Sequence, residues 1–155
     1  MKAVAYSVKL QEKAALAIAN EKKHDLTLIS NELNAATIAY AQGKDVAIVS
    51  TYDIVDHEML KSLKRLGVSK LITRSNTLTH IDLKAAAEMA FNIANIPHHS
   101  IDVAYIAEQV VRHLNLWGSG QCVGEACCCK KGCNLKLSAT SEAATTLATN
   151  NPGVQ

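Results

Sequence analysis

The sequence predicts an α/β fold: a five-stranded parallel sheet with helices on both faces, followed by a short cysteine-rich tail. Three observations lead to it. Short β-rich runs alternate five times with stretches of helix formers between Lys2 and Trp117, the pattern of repeated strand–helix units. The strand runs are nearly continuous in apolar and β-branched residues, as strands covered on both faces are. The 155 residues, 48% apolar and 19% charged, are enough to bury one core without staples.

The elements follow in order. Residues 2–8 (KAVAYSV) read as the first strand and 11–23 as a helix rich in Ala and Leu. Residues 25–30 (DLTLIS) form the second strand, and 34–42 a helix that Asn34 caps and Gly43 ends. The third strand is 45–50 (DVAIVS). Residues 56–66 give an amphipathic helix with Met59, Leu60, Leu63 and Leu66 on one stripe, stopped by Gly67. Residues 70–75 (KLITRS) are the fourth strand, 82–90 a helix capped by Asp82, and 92–96 the fifth strand, closed by Pro97. The last helix, 102–117, repeats Val103, Ile106, Val110, Leu114 and Trp117 at helical spacing. Right-handed crossovers favour the flavodoxin-like order 2-1-3-4-5, with ligands at the carboxyl ends of the strands. The loops 30–34, 50–56, 74–80 and 97–102 are therefore the ones to watch.

Composition excludes several functions. Sixteen Lys and Arg against fourteen Asp and Glu leave a net charge of +2, too small for a nucleic-acid footprint. No apolar run approaches the ~20 residues of a membrane span. Lys9, Glu12 and Lys13 interrupt any export signal, so the expected compartment is cytoplasmic.

After Trp117 the texture changes, which divides the chain into a 1–117 unit, a cysteine-rich segment 118–137 and a flexible Ser/Thr/Ala/Asn tail 138–155. All five cysteines fall in Cys122-x4-Cys127-Cys128-Cys129-x3-Cys133. In a reducing cytosol such a cluster points to metal or redox chemistry rather than structural disulfides. Thiolates suit zinc or an iron–sulfur cluster, and four of them complete either site. In an extended chain residues 127 and 129 share one side and 128 takes the other. The preferred ligands are Cys122, Cys127, Cys129 and Cys133, with Cys128 the alternative; Lys130, Lys131 and Lys136 offset the negative charge. The spacing matches neither a standard zinc finger nor the usual ferredoxin runs, so the metal stays open. A thiol–disulfide switch and an inert cysteine-rich tail are the competing readings.

The remaining polar residues favour structural readings. His113 falls on the exposed face of the last helix, while Tyr6, Ser7 and Lys9 end the first strand near the cleft. The glycines of Gly118-Ser-Gly-Gln-Cys-Val-Gly124 follow no strand and precede no strand–helix unit, so they are not a dinucleotide fingerprint.

The stretch from Met1 to about Pro97 resembles the amino-terminal segment of bacterial D-lactate dehydrogenases, within the D-isomer-specific 2-hydroxyacid dehydrogenase family. The resemblance is carried by KAVAYSVKLQEKAALAIANEKKHDLTLIS, AYAQGKDVAIVS, and above all TRS at 73–75, HIDLKAAA at 80–87 and NIP at 95–97. It implies the flavodoxin-like substrate-binding domain of that family, in which a separate Rossmann domain binds NAD. The family's R-S-x-G-x-D loop holds the substrate carboxylate by its amides; here it reads Arg74, Ser75, Asn76, Thr77, Leu78, Thr79. By this resemblance Ser75, Asn76 and Thr77 are candidate contacts for a small carboxylate ligand. His98 and His99 join them, where the family commonly carries an aromatic residue. The family's catalytic Arg, Glu and His have no counterparts here, and the chain ends before a dinucleotide-binding unit, so NAD binding by this chain alone is not expected. The expectation is a stand-alone dehydrogenase-like domain acting as a non-autonomous or non-catalytic small-ligand or redox/metal module. The alternative is a subunit of a 2-hydroxyacid oxidoreductase with NAD supplied by a partner chain. The apolar last helix adds a possible homodimer.

Overall fold

Five short apolar runs pair side by side in a computed structural model that describes residues 1–129 and 133. The flexible tail expected at 138–155, and Lys130, Lys131 and Lys136, lie outside the described residues. Strands β1 (Lys2–Ala5), β2 (Asp25–Leu28), β3 (Val46–Val49), β4 (Lys70–Thr73) and β5 (Asn92–Ala94) form one parallel sheet in the order β2-β1-β3-β4-β5. Helices α1 (Leu10–Asn20), α2 (His57–Arg65) and α3 (Leu83–Glu88) lie in three of the four crossovers, the β2–β3 connection carries a 3-10 turn, and α4 (Val103–Gly118) follows β5. The expected fold class and strand order are those observed.

Alternation along the strands divides the interior into two cores. Val4, Ala47, Val49, Leu71 and Ile93 face α2 and α3, where Leu60, Leu63 and Ala85 meet them. Ala3, Ala5, Val46, Ile48, Ile72 and Ala94 face α1 and α4, packing with Leu16, Val110, Leu114 and Trp117. The stripe that made α4 a candidate for pairing two copies is thus turned onto α1 and the sheet.

Three aspartates start helices as side-chain caps. Asp56 accepts from Met59 N (2.9 Å), Asp82 from Ala85 N (3.0 Å), and Asp102 from Ala104 N and Tyr105 N (3.0 and 3.3 Å). The helix expected at 34–42 is instead a single 3-10 turn, Ile38–Ala41. Local bonds compete with helical ones there. Asn34 Oδ1 accepts from Ala36 N and Thr37 N, Thr37 Oγ1 donates to Glu32 O (2.6 Å), and the Tyr6 hydroxyl donates to Thr37 O (2.9 Å).

His113 is fully buried rather than exposed. Its Nε2 donates to Asn95 O (2.9 Å), satisfying a carbonyl just past β5. Beyond α4 the chain returns along the sheet. Ala94 and Cys127 form an antiparallel bridge, Asn95 N donates to Ala126 O (3.1 Å), and Cys128 N donates to Ile93 O (2.8 Å). Cys122, Val123 and Ala126 are buried, the last two in the α1/α4 core. The start of the cysteine segment is therefore built onto the edge of the sheet. Among the described residues no helix is long and apolar enough to cross a membrane.

Candidate functional site

The parallel sheet gathers the loops that follow its strands at one end. Ser75, Asn76 and Thr77 after β4, and His98, His99 and Ser100 after β5, line a single cavity of about 220 Å³ with Thr51, Arg74, Ile96 and Ile106. The five candidate ligand contacts, Ser75, Asn76, Thr77, His98 and His99, are thus brought together. The Ser75 hydroxyl donates to Thr77 O (3.1 Å) and lies 3.1 Å from Thr73 Oγ1, which in turn lies 2.9 Å from His80 Nε2. Ile96 N donates to Ser75 O (2.9 Å) and Asn95 Nδ2 to Asn76 O (3.3 Å), which tie the loop to the strand-β5 side. The backbone amides of Asn76 and Thr77 donate to no group among the described residues. Left-handed non-glycine backbone occurs at Ser7, Glu21, Lys22 and Ala90, and not at Thr77, so this loop turns without needing the absent glycine.

Three residues that were not singled out as site residues hold this end of the sheet rigid. Asp53, fully buried, accepts from Ser7 Oγ, Leu33 N and Ser50 N, each at 2.8 Å, tying together the loops after β1, β2 and β3. Arg74 donates from its two terminal nitrogens to Tyr6 O and Ser7 O and from Nε to Glu12, each at 3.0 Å. These three bonds fix β1 and α1 to β4, including Ser7 at its left-handed φ of 55°. His80 is buried against Thr73. Asp53 carried no local signal, because its partners are assembled only by the topology. Arg74 lay inside the TRS piece, but nothing in that piece shows that its side chain points back to β1.

Electrostatics follow burial. Desolvation, then the Asp53 charge and Tyr40, push the Tyr6 hydroxyl up to about 12. Burial holds His80 below its ordinary value against the opposing pull of Asp53. Burial also lowers His113, outweighing its bond to Asn95 O.

The cysteines gather at the other end of the strands. The sulfurs of Cys122, Cys127 and Cys133 lie within 4.8 Å of one another. Cys129 is beside them: its Sγ accepts from Ile93 N (3.5 Å) and from Asn92 Nδ2 (3.8 Å), and its thiol and amide meet the Cys127 thiol. Cys128 points to the opposite face, packs against the α2/α3 core and donates to Ala126 O (3.3 Å). Burial raises the Cys127 and Cys128 thiols.

A dinucleotide does not fit the glycine segment. Gly118 is the last residue of α4, and the chain beyond Gly124 makes one 3-10 turn, Gly124–Ala126, before joining the edge of β5. Among the described residues it neither follows a strand nor opens a helix, the context that pyrophosphate binding requires.

Known proteins agree with this architecture. Residues 4–151 match the family model for the D-isomer specific 2-hydroxyacid dehydrogenase catalytic domain. A D-lactate dehydrogenase of Leuconostoc mesenteroides subsp. cremoris is 34% identical over 119 residues, covering 74% of this chain and 35% of that protein. An aromatic 2-oxoacid reductase of Clostridium sporogenes is 32% identical over 101 residues, 64% of this chain and 30% of that protein. The apo-structure of Escherichia coli D-lactate dehydrogenase superposes with a TM-score of 0.62 at 27% identity, over 64% of this chain and 32% of that one. The pyruvate reductase of Chlamydomonas reinhardtii gives 0.61 at 27% identity, over 77% and 36%. The chain thus spans about a third of the length of these relatives. Sheet order, cavity and sequence converge: the chain belongs to the D-isomer specific 2-hydroxyacid dehydrogenase family, through its catalytic domain.

Proposed function

We propose that this chain is the carboxylate-seating part of a 2-hydroxyacid oxidoreductase, taking a small 2-oxo or 2-hydroxy acid in the cleft after β4 and β5. Hydride exchange then needs a nicotinamide cofactor held by another domain or a partner chain; the chain alone binds the acid without turning it over. The observation that carries this reading is the cavity into which Ser75–Thr77 and His98–Ser100 converge, with the Asn76 and Thr77 amides making no bond among the described residues. Adjacent backbone N–H groups in a turn form an anion-binding concavity. His98 and His99, in the lining of the same cavity, supply further donors for a carboxylate or a keto oxygen. We place this activity in the cytosol.

Titrating the 155-residue chain with oxamate, pyruvate and lactate by amide NMR tests the reading. Saturable shifts confined to residues 75–77 and 98–100, weakened by Thr77→Pro, which removes one amide, are the expected result. No saturation with any of the three acids would overturn it.

A further inference from the structure

The cysteine cluster stands apart from the cleft and is not used by the function proposed above. We propose that Cys122, Cys127, Cys129 and Cys133 hold one zinc ion, a structural site that clamps the chain after α4 onto the amino end of β5.

Geometry gives the first argument. Bonds of about 2.3 Å to a tetrahedral zinc place thiolate sulfurs roughly 3.8 Å apart. Three sulfurs mutually within 4.8 Å, with a fourth cysteine beside two of them, approach that arrangement. A disulfide brings together two sulfurs, and does not explain the convergence of a third and fourth.

The choice of cysteines is imposed by the sheet. Cys127 bridges to Ala94 and faces the α1/α4 side, so the next residue, Cys128, faces the other core, and Cys129 returns to the first side. Four cysteines are thereby sorted from five.

The surroundings supply donors suited to thiolates. Gly124 N lies 3.4 Å from Cys122 Sγ, made possible by the left-handed φ of 71° at that glycine. Ile93 N reaches Cys129 at 3.5 Å, and Asn92 Nδ2 lies 3.8 and 3.9 Å from Cys129 and Cys133. N–H donors of this kind orient metal-bound thiolates and stabilise their charge. Loading zinc releases four protons to solvent and leaves the site with a net charge of two negative units. Lys70, the register partner of Asn92 on β4, stands on the same face of the sheet to offset part of it. Asn92 acts as a positioning residue through Cys129 and Cys133.

The test uses the full chain purified without oxygen, with zinc as the probe. Elemental analysis after reconstitution is expected to give one zinc per chain, and cobalt substitution to give sulfur-to-cobalt charge-transfer absorption with a tetrahedral d–d band. Competition with a chromophoric chelator should show affinity falling on the order of 100-fold or more for Cys127→Ser and Cys133→Ser, and roughly 10–100-fold for Asn92→Ala. Cys128→Ser should bind zinc as the parent does. The proposal is overturned by a zinc content far below one, by cobalt binding without the sulfur charge-transfer band, by an iron–sulfur chromophore, or by a Cys128→Ser variant as impaired as Cys127→Ser. The zinc and cobalt measurements on the parent chain decide the matter even if a cysteine variant fails to fold.

Discussion

Asp53 offers nothing to a ligand, yet its carboxylate is the meeting point of three loops. Removing it leaves Ser7 Oγ, Leu33 N and Ser50 N without their buried acceptor. Asp53→Ala should therefore cost about 3–5 kcal/mol of stability, read from urea denaturation, because each orphaned buried donor carries its own desolvation penalty. The buried histidines predict a pH dependence. Burial lowers His80 and His113 from the ordinary 6.5. The unfolded chain thus binds more protons just below that pH, and stability rises with pH there. The contribution is complete above about pH 6.5 and is lost as pH falls through the folded values. The urea midpoint should drop between about pH 7 and pH 5, and less so in His113→Gln, which retains an N–H for Asn95 O. His113 was legible in principle. It sits three residues after Val110 and four before Trp117, on the face they bury, and only its polarity suggested the exposed face. Asp53 was not legible, since no local pattern announces that three distant loops converge on one carboxylate.

At the scale of elements, the reading succeeded where one local signal and the tertiary environment agreed. Asp82, read as a helix cap, is one, and Asp56 and Asp102, read as the first residues of their helices, are caps as well. Asp102→Ala should lose about 1 kcal/mol, and Asp102→Asn much less, in thermal or chemical denaturation. The segment 34–42 failed where two signals competed. Asn34 does not cap a helix: its side chain closes a local turn on Ala36 N and Thr37 N, Thr37 spends its hydroxyl on Glu32 O and shares its carbonyl between the Tyr6 hydroxyl and Tyr40 N, and the one 3-10 turn begins after Thr37. Tyr6 lies in the first strand run, thirty-one residues away in sequence, and no inspection of the segment itself would have revealed it. The split of Cys128 from Cys127 and Cys129 was legible because period-two alternation needs only that the chain be extended.

For the whole molecule, the arrangement separates two tasks along the strand direction. Loops at the carboxyl ends build the cleft, while the thiols gather by Asn92 at the opposite end. The segment after α4 spans the distance, from Glu125, whose carboxylate lies 3.6 Å from His98, to Cys129. Both side chains of that contact are largely exposed, so it adds little stability. The same segment has a further consequence. Ile93 and Asn95 turn their N–H and C=O groups away from β4, and all four find partners: Cys129 Sγ, Cys128 N, Ala126 O and His113 Nε2. Without that covering, the flank of β5 would be an open template for strand addition between molecules. Substituting Pro for Cys128, which removes the donor to Ile93 O, should make the protein aggregate in a concentration-dependent way by light scattering. The cover of this sheet edge is therefore the cysteine segment, the part of the sequence that looked least like a piece of the sheet.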